Sequence, residues 1–264
     1  MSDKERRDFV NENITLTQKA DGLTFGTDAY LLAAYVKPKA KARAVDLGSG
    51  TGIIPLLCLA RGKFASCVAA EIQPAFGELI LRNAEENGVT HRLTLWTGDV
   101  RELTAAKLGY EVDIVTANPP YMTAHGGAAN AHEEKYIARH EVHGGIFDFC
   151  AAAGRILKHG GRFYCVFRPD RLSDLMAAMR EARLEPKRMT FVHATYGAIP
   201  SMVLIEATKG AAPSMTVTPP LCLWEEDHHN PTKPAQPMVS TPDNDYIYAH
   251  CRFPDRFLGG NRQG

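Results

Sequence analysis

The tetrapeptide Asn118-Pro119-Pro120-Tyr121 contains the residue types that could bind a planar amine. It directly follows the apolar run 112–117, and because proline has no N–H, a strand formed by that run must end there. The two prolines have a fixed φ, so they would hold the side-chain oxygen of Asn118 and the carbonyl of Pro119 as two acceptors in a rigid arrangement. A substrate with an –NH2 group fits this pair, whereas the simpler interpretation is a strand-terminating turn.

A glycine-rich loop follows a second apolar run, at 43–47, and precedes a helical pattern. Its G-x-G-x-G spacing lets the backbone approach a ligand closely. A dinucleotide fingerprint would need glycine or alanine at Ile53, and no Lys-Ser or Lys-Thr follows as in a phosphate-binding loop. Asp46 would repel a pyrophosphate but attract the ammonium of an amino acid, so we predict S-adenosylmethionine as the ligand rather than NAD. The loop residues expected to contact it are Gly48, Ser49, Gly50 and Gly52.

Two further acidic residues follow the next two apolar runs. Glu71, with Ile72 beside it, is placed to accept hydrogen bonds from both ribose hydroxyls of a nucleoside. Asp99 can accept from an adenine amino group while the N–H of Val100 donates to the ring. Taken singly, each carboxylate is better explained as a helix cap or a solvated side chain. Three acids behind three consecutive strands, together with the glycine loop, favour a cofactor site.

Strand-like runs alternate with amphipathic helical patterns, which predicts right-handed βαβ units and a mostly parallel sheet. Strands are expected at 43–47, 66–71, 92–96, 112–117, 162–167, 187–194 and 201–207. Helices are expected at 28–36, 53–61, 74–87, 145–158 and 170–183, with a shorter one near 101–108. Only TYGAIP separates the last two strands, so they should form an antiparallel hairpin. The prediction is an α/β protein with a seven-stranded sheet and helices on both faces, the Rossmann-like arrangement of class I methyltransferases.

Composition limits the partners and the location of the chain. Its 264 residues contain 30 Lys plus Arg and 30 Asp plus Glu, so any attraction to nucleic acid must come from local patches. No apolar segment approaches ~18 residues, which predicts a cytoplasmic protein without a membrane segment. The six cysteines form no Cys-x-x-Cys pair and are expected to be reduced, buried thiols. We expect one cofactor-binding domain over 1–208 and an extended tail over 209–264 that adds little core.

These motifs resemble those of amino-methyltransferases with an Asp-Pro-Pro-Tyr or Asn-Pro-Pro-Tyr signature after the fourth strand. Within that group, the chain is most similar to bacterial tRNA adenine-N(6)-methyltransferases acting on the anticodon loop of a valine tRNA. The resemblance covers 22–208 and includes LTFGTDAYLLAAYV, ARHEVHG, FRPDRL and PKRMTFVHA, with TPPLCLWEED beyond it. The Ala/Gly-rich loop at 123–136 departs from the pattern. The resemblance implies a segment that closes over the methionine end of the cofactor, formed by Phe25, Gly26, Thr27 and Asp28.

The resemblance implies methyl transfer to the N6 amine of an adenosine, most readily at position 37 of a valine tRNA. Asn118 and Pro119 would hold the amine, and Tyr121 would stack on a base unstacked into the pocket. No metal is needed, and the four histidines between 125 and 143 fit no zinc spacing. Phosphate contacts are expected from cations flanking the carboxyl edge of the sheet. These are Lys37, Lys39, Lys41, Arg139, His140, Arg168 and Arg171.

Three alternatives stay open. Glutamine methyltransferases of release factors use the same Asn-Pro-Pro-Tyr signature, because a side-chain amide also has a planar –NH2 group. These enzymes have a helical domain ahead of the glycine loop, whereas only 45 residues precede Asp46 here. A DNA adenine methyltransferase would need a target-recognition region, which is not visible. A module that binds the cofactor or tRNA without turnover is the third. The sequence leaves the oligomeric state open, with a monomer favoured.

Overall fold

The computed structural model describes residues 5–11, 14–19, 26–120, 145–225 and 238–259. The strands of this part of the chain are β1 (Glu5–Asn11), β2 (Ile14–Lys19), β3 (Arg43–Leu47), β4 (Ser66–Glu71), β5 (Leu93–Thr97), β6 (Val112–Ala117), β7 (Leu157–Phe167), β8 (Leu184–Thr195), β9 (Pro200–Lys209), β10 (Thr216–Val217) and β11 (Leu221–Trp224). The α-helices are α1 (Thr27–Tyr35), α2 (Ile53–Ala60), α3 (Pro74–Glu86), α4 (Ala105–Leu108), α5 (Ile146–Ile156), α6 (Leu172–Glu181) and α7 (Pro242–His250). Short 3-10 turns lie at Val100–Glu102, Pro169–Arg171 and Asp255–Phe257.

The described strands from β3 onward form one nine-stranded sheet. Its order is β10-β8-β9-β7-β6-β3-β4-β5, and β11 also pairs with β8. Strands β3 to β7 run parallel, whereas β9 is antiparallel to both β7 and β8. The seven expected strands and the end hairpin are therefore confirmed. The sheet is wider than predicted because β10 and β11 come from the C-terminal segment.

Helices cover both faces of the sheet, as predicted. Successive side chains of β3 enter different layers: Ala44 packs with α1, α2 and α3, and Val45 packs with α5 and α6. Because the central strands are buried on both faces, their sequences are nearly continuous apolar runs, and such runs are easy to locate. All the parallel strands point their carboxyl ends to one edge, which we call the carboxyl edge.

The sequence did not predict the β1–β2 hairpin, which lies apart from the main sheet. Asn83 of α3 and Asn87, which directly follows that helix, lie one turn apart and hold β2 by its backbone. Asn83 accepts from the Thr17 N–H (2.8 Å) and donates to the Thr17 carbonyl (3.1 Å). Asn87 makes the same pair with Thr15, at 3.0 and 2.7 Å. The two asparagine side chains thus satisfy backbone groups of β2 that a neighbouring strand would otherwise pair with. The charged sequence of β1 gives no sign of this hairpin.

The expectation of an extended C-terminal tail with little core is wrong for the described residues 216–225 and 238–258. Strand β11 pairs in parallel with β8, and Tyr248 of α7 stacks on Tyr30 of α1 with ring centroids 4.5 Å apart. The apolar residues of this segment are few, and turn-forming residues separate them, so composition alone concealed their burial. The fully buried ones are Leu221, Ile247, Cys251, Phe253 and Phe257.

A buried arginine joins this segment to the rest of the domain. Arg188 of β8 is 1% exposed, and its Nε donates to Glu206 at 2.8 Å. Its other nitrogens donate to the carbonyls of Phe257 (3.0 Å) and Tyr35 (2.8 Å), and its guanidinium lies 3.6 Å from the centre of the Tyr35 ring. A charge buried so deeply requires these partners, so α1, the sheet and the C-terminal segment form one packed unit.

The cysteines are free thiols, as predicted, and all except the half-buried Cys222 are buried. Burial raises the pKa of Cys150 to about 12, so this thiol is unreactive at neutral pH. None of the helices in the described ranges is long and apolar enough to cross a membrane.

Candidate functional site

The glycine loop between β3 and α2 lies at the carboxyl edge and adopts a left-handed backbone. Gly48, Gly50 and Gly52 have φ of 66°, 56° and 82°, which side chains disfavour. A Cβ on Gly48 would approach the Phe149 ring to 3.1 Å, so α5 limits this position. A Cβ on Gly50 would meet nothing within 4 Å, which leaves open space where a ligand can approach the backbone.

Asp46, the next-to-last residue of β3, lies beneath this loop and is 1% exposed. Its two oxygens accept hydrogen bonds from Ser49 Oγ (2.6 Å) and Thr116 Oγ1 (2.5 Å). Burial raises the pKa of Asp46 to about 7; the two hydroxyl bonds oppose the rise, and the nearby Glu71 adds to it. The carboxyl is therefore poised to ionise when a cation approaches. The sequence analysis missed Thr116, although a threonine within an otherwise apolar buried strand is a usable signal.

Glu71 ends β4 next to the glycine loop and is buried. Its oxygens accept from the backbone N–H groups of Gly50 and Gln73, both at 2.9 Å. These contacts fix the carboxylate against the loop. Each carboxylate oxygen has a second lone pair, so the hydrogen bonds are compatible with the predicted ribose contacts. Ile72 follows, half-buried, at the same edge.

Asp99 follows β5 and caps the 3-10 turn that starts at Val100. Its carboxylate accepts from the Arg101 backbone N–H and from the Arg101 guanidinium, whose Nε lies 2.9 and 3.0 Å from the two oxygens. Arg155 of α5 holds the same turn by donating to the carbonyls of Val100 (3.1 Å) and Arg101 (3.0 Å). The predicted adenine contact of Asp99 therefore requires its carboxylate to be shared with Arg101. Arg155 was not singled out in the sequence, where it is one of many helix cations.

Asn118, directly after β6, is oriented by a residue from the start of α1. Its Nδ2 donates to Asp28 Oδ2 at 2.9 Å, and Asp28 Oδ1 accepts from the Ala29 backbone N–H at 2.8 Å. Gly26 precedes this helix, and a Cβ on Gly26 would come within 2.5 Å of Asp28 Oδ1. Pro119 is buried and Pro120 half-buried beside Asn118. The structure thus brings Gly26, Thr27 and Asp28 to the same edge as Asn118.

Several predicted site residues lie outside the described residues. These are Phe25, Tyr121, Arg139 and His140. The loop at 123–136 and the four histidines between 125 and 143 also lie there. In the ranges that the structure does describe, no group of three His, Cys, Asp or Glu side chains could hold a metal ion.

The sequence analysis expected three cations, Lys37, Lys39 and Lys41, to flank the carboxyl edge, and this expectation is wrong. They precede β3, so they lie at the amino edge, about 16 Å away along a five-residue strand. Lys37 pairs with the buried Glu206 at 3.2 Å, and Lys39 bonds to Asp113 at the start of β6 at 2.7 Å. Burial lowers the pKa of Lys37. Lys41 is exposed at the same edge. Sequence order already implied this position, because residues that directly precede a strand of a parallel sheet lie at its amino edge.

Arg168 and Arg171 follow β7 and do lie at the carboxyl edge. Arg168 forms a two-pronged ion pair with Asp170, at 2.9 and 2.6 Å, and Arg171 pairs with Asp174. The hydrogen bond from Arg168, which outweighs partial burial, lowers the pKa of Asp170. This part of the edge therefore has little net positive charge.

Comparison with known proteins agrees with this arrangement. The model of the methyltransferase small domain family matches residues 20–182. A protein of Porphyromonas gingivalis named tRNA1(Val) (adenine(37)-N6)-methyltransferase is 27% identical over 190 residues, 70% of this chain and 74% of its own length. One of the same name from Dyadobacter fermentans is 25% identical over 220 residues, 83% of this chain and 90% of its own length.

Among solved structures, a protein of Agrobacterium tumefaciens described as a predicted O-methyltransferase superposes with a TM-score of 0.67. It is 24% identical and covers 86% of this chain and 98% of its own. At that identity, the likeness supports the fold and says nothing about the acceptor.

Proposed function

The chain belongs to the methyltransferase small domain family, and from this premise we propose that it methylates the N6 amine of adenosine 37 in a valine tRNA, using S-adenosylmethionine. The observation that most directly supports an amine acceptor is the hydrogen bond from Asn118 to Asp28 at the carboxyl edge, beside the glycine loop. The names of the relatives from P. gingivalis and D. fermentans support the choice of adenine and of tRNA. A tRNA acceptor places the proposed reaction in the cytoplasm.

The residues at the ends of β3, β4 and β5 fit the proposed cofactor. Open space faces the left-handed backbone of Gly50, and two buried carboxylates flank it. Asp46 would hold the ammonium of the methionine moiety, and Glu71 would accept from the ribose hydroxyls. Asp99 and the Val100 N–H would bind the adenine. When bound, the cofactor supplies an electrophilic methyl group on a sulfonium centre.

The protein's own contribution to the reaction is to orient the acceptor amine. Because Asn118 Nδ2 donates to Asp28, the amide plane is fixed with its nitrogen toward α1 and its oxygen turned away from it. That oxygen and the Pro119 carbonyl would accept the two N–H bonds of the amine. This arrangement would orient the nitrogen lone pair toward the methyl group of a bound cofactor, and the positive charge developing on the nitrogen would face two acceptors until one amine proton is lost to solvent and S-adenosylhomocysteine leaves. Tyr121 is proposed to stack on the same base, worth about 1–3 kcal/mol.

The acceptor can be tested with labelled cofactor. The purified protein would be offered valine tRNA, the same transcript with guanosine at position 37, duplex DNA and a release factor, and the methylated product would be identified by mass spectrometry. We expect N6-methyladenosine in the first transcript and no label in the second, which is the matched control. Label in DNA or in a glutamine of the release factor, with none in tRNA, would overturn the proposal.

A variant separates catalysis from cofactor binding. Asn118→Ala removes one acceptor of the amine but none of the proposed cofactor contacts of β3 and β4. We expect kcat to fall by about 10²-fold or more, as when one preorganised hydrogen bond is lost from a transition state. Binding of S-adenosylhomocysteine, measured by calorimetry, should change little. An unchanged kcat would exclude Asn118 from this role.

A further inference from the structure

The β8–β9 hairpin extends well past the site at the carboxyl edge. Ala117 pairs with Cys165, and Val166 and Thr190 both pair with Leu204, so Thr190 lies level with Asn118. Strand β8 continues to Thr195, five residues beyond that level, which is about 17 Å at 3.3 Å per residue. Three strand spacings, or about 14 Å, separate β8 from β6 laterally. The turn 196–199, which we call the hairpin tip, therefore projects beyond the edge where Asn118 lies.

The hairpin tip presents two large apolar side chains to solvent. Ile199 is 87% and Tyr196 85% exposed, the highest values for large hydrophobic residues in the described part of the chain. Exposed Met238 and Val239 lie nearby, because Trp224 pairs with both Thr195 of β8 and Ser240. Isolated apolar residues on a surface are ordinary, but Tyr196 and Ile199 share one short projecting turn, and such exposed apolar surface is of the kind that binds a partner.

The backbone of the tip is fixed without help from Tyr196 or Ile199. The ring of His193 bonds to the Ala198 carbonyl at 2.6 Å, and the Ser201 hydroxyl donates to the Val192 carbonyl at 3.2 Å. Gly197, at φ 148°, allows the tight reversal between them. Hence the two apolar side chains are held outward by a preorganised turn, and neither is needed to form it.

We propose that the hairpin tip is a stacking platform for an unpaired base of the RNA loop whose adenosine is methylated. This inference rests on the proposed function. The chemistry favours a base over a phosphate as the occupant, because Arg168 and Arg171, the cations after the neighbouring β7, are neutralised by Asp170 and Asp174. A tyrosine ring and an aliphatic side chain instead offer apolar surface to the face of a base. Holding a second base would keep the loop open while the target base is extruded.

The test compares Tyr196→Ala with two matched variants. Tyr196→Phe keeps the ring, and Phe9→Ala removes a ring of similar exposure, 82%, from the distant β1. Affinity for the anticodon stem-loop would be measured by fluorescence anisotropy over a range of salt concentrations. We expect the Kd of Tyr196→Ala to rise between about 5-fold and 150-fold, as for loss of one base stack. Tyr196→Phe and Phe9→Ala should bind like the wild type.

The salt dependence and the oligomeric state identify the occupant. We expect the slope of log K against log salt to be the same for Tyr196→Ala and the wild type, since no phosphate contact is lost. If the wild type methylates tRNA and Tyr196→Ala binds RNA normally, this inference fails and the proposed function stands. A wild-type dimer that Tyr196→Ala dissociates, with RNA affinity unchanged, would identify a second copy as the occupant and also overturn it. If the wild type methylates no RNA, both fail together.

Discussion

Replacing Asp46 by asparagine should make the cofactor-free protein more stable while abolishing cofactor binding. The carboxyl is 1% exposed and its pKa rises from the ordinary 3.8 to about 7 on folding, chiefly through burial. Because the folded-state pKa is raised, the favourable contribution of Asp46 is present below pH 3.8 and is lost as the pH rises to 7. At about 1.4 kcal/mol per pH unit, ionised Asp46 costs the folded state about 4 kcal/mol at pH 8.

Asparagine has nearly the same shape and stays neutral, so it avoids this cost. The hydroxyls of Ser49 and Thr116 can rotate, one donating to the new amide oxygen and the other accepting from its nitrogen. We therefore expect the difference in unfolding free energy, Asp46→Asn minus wild type, to grow by about 1.4 kcal/mol per pH unit between pH 4 and 7 and then to level off. An imperfect hydrogen bond would lower the whole curve without changing its slope.

The assay is urea denaturation followed by circular dichroism, at half-unit steps from pH 4 to 8. Asp113→Asn is the matched control. Burial acts to raise the pKa of Asp113, but hydrogen bonds from Lys158 and Lys39 outweigh burial and hold that pKa below its ordinary value. Its difference from the wild type should therefore be nearly constant over this range. A constant difference for Asp46→Asn as well would show that Asp46 is ionised throughout, and would refute the reasoning.

Three further outcomes follow from the structure. Asp28→Ala should lower kcat by a larger factor than it weakens S-adenosylhomocysteine affinity measured by calorimetry, because Asn118 loses the acceptor that fixes its amide; an unchanged kcat would contradict this orientation. Glu206→Gln should reduce the urea-derived unfolding free energy by about 3–5 kcal/mol, since Arg188 remains buried without its counter-charge, and a loss below about 1 kcal/mol would count against it. Lys41→Gln should leave both tRNA affinity and its salt slope unchanged, because this lysine lies at the amino edge; a shallower slope in a binding titration would restore it as a phosphate contact.

The sequence was informative where burial alone determines the pattern. The central strands are buried on both faces, so their apolar runs located them, and the glycine loop and Asp46 could be placed at their carboxyl ends. The hydrogen-bond partners of the site side chains could not be predicted from apolar runs. The hydrogen bonds of Asp46 to Thr116 and of Asn118 to Asp28 join residues 70 and 90 positions apart. Such pairs depend on strand order, which periodicity does not encode.

Three other features were hidden from the sequence analysis for different reasons. The β1–β2 hairpin is held by side-chain amides of Asn83 and Asn87. The sequence of β1 is too polar to predict a strand, and only the short alternation of Ile14 and Leu16 with threonines indicates β2. The C-terminal segment was interpreted from its composition, although a few apolar residues between turns suffice to anchor α7 and β11 to the domain. Arg188 would be read from sequence as a surface cation, yet it is buried in the structure. For the hairpin and for Arg188, specific polar contacts stand where sequence analysis looks for an apolar pattern.

The burial of Arg188 against the Phe257 carbonyl also determines when the domain can finish folding during synthesis. Roughly 50 residues lie between the end of β9 and Phe257, which is about 2–10 s of translation. Until β10 and β11 are made, early in that interval, β8 is an uncovered edge strand with open N–H and C=O groups. Arg188 of β8 lacks the Phe257 carbonyl for the whole interval. A ribosome-bound intermediate with such an edge is prone to aggregate and is a natural client for a chaperone.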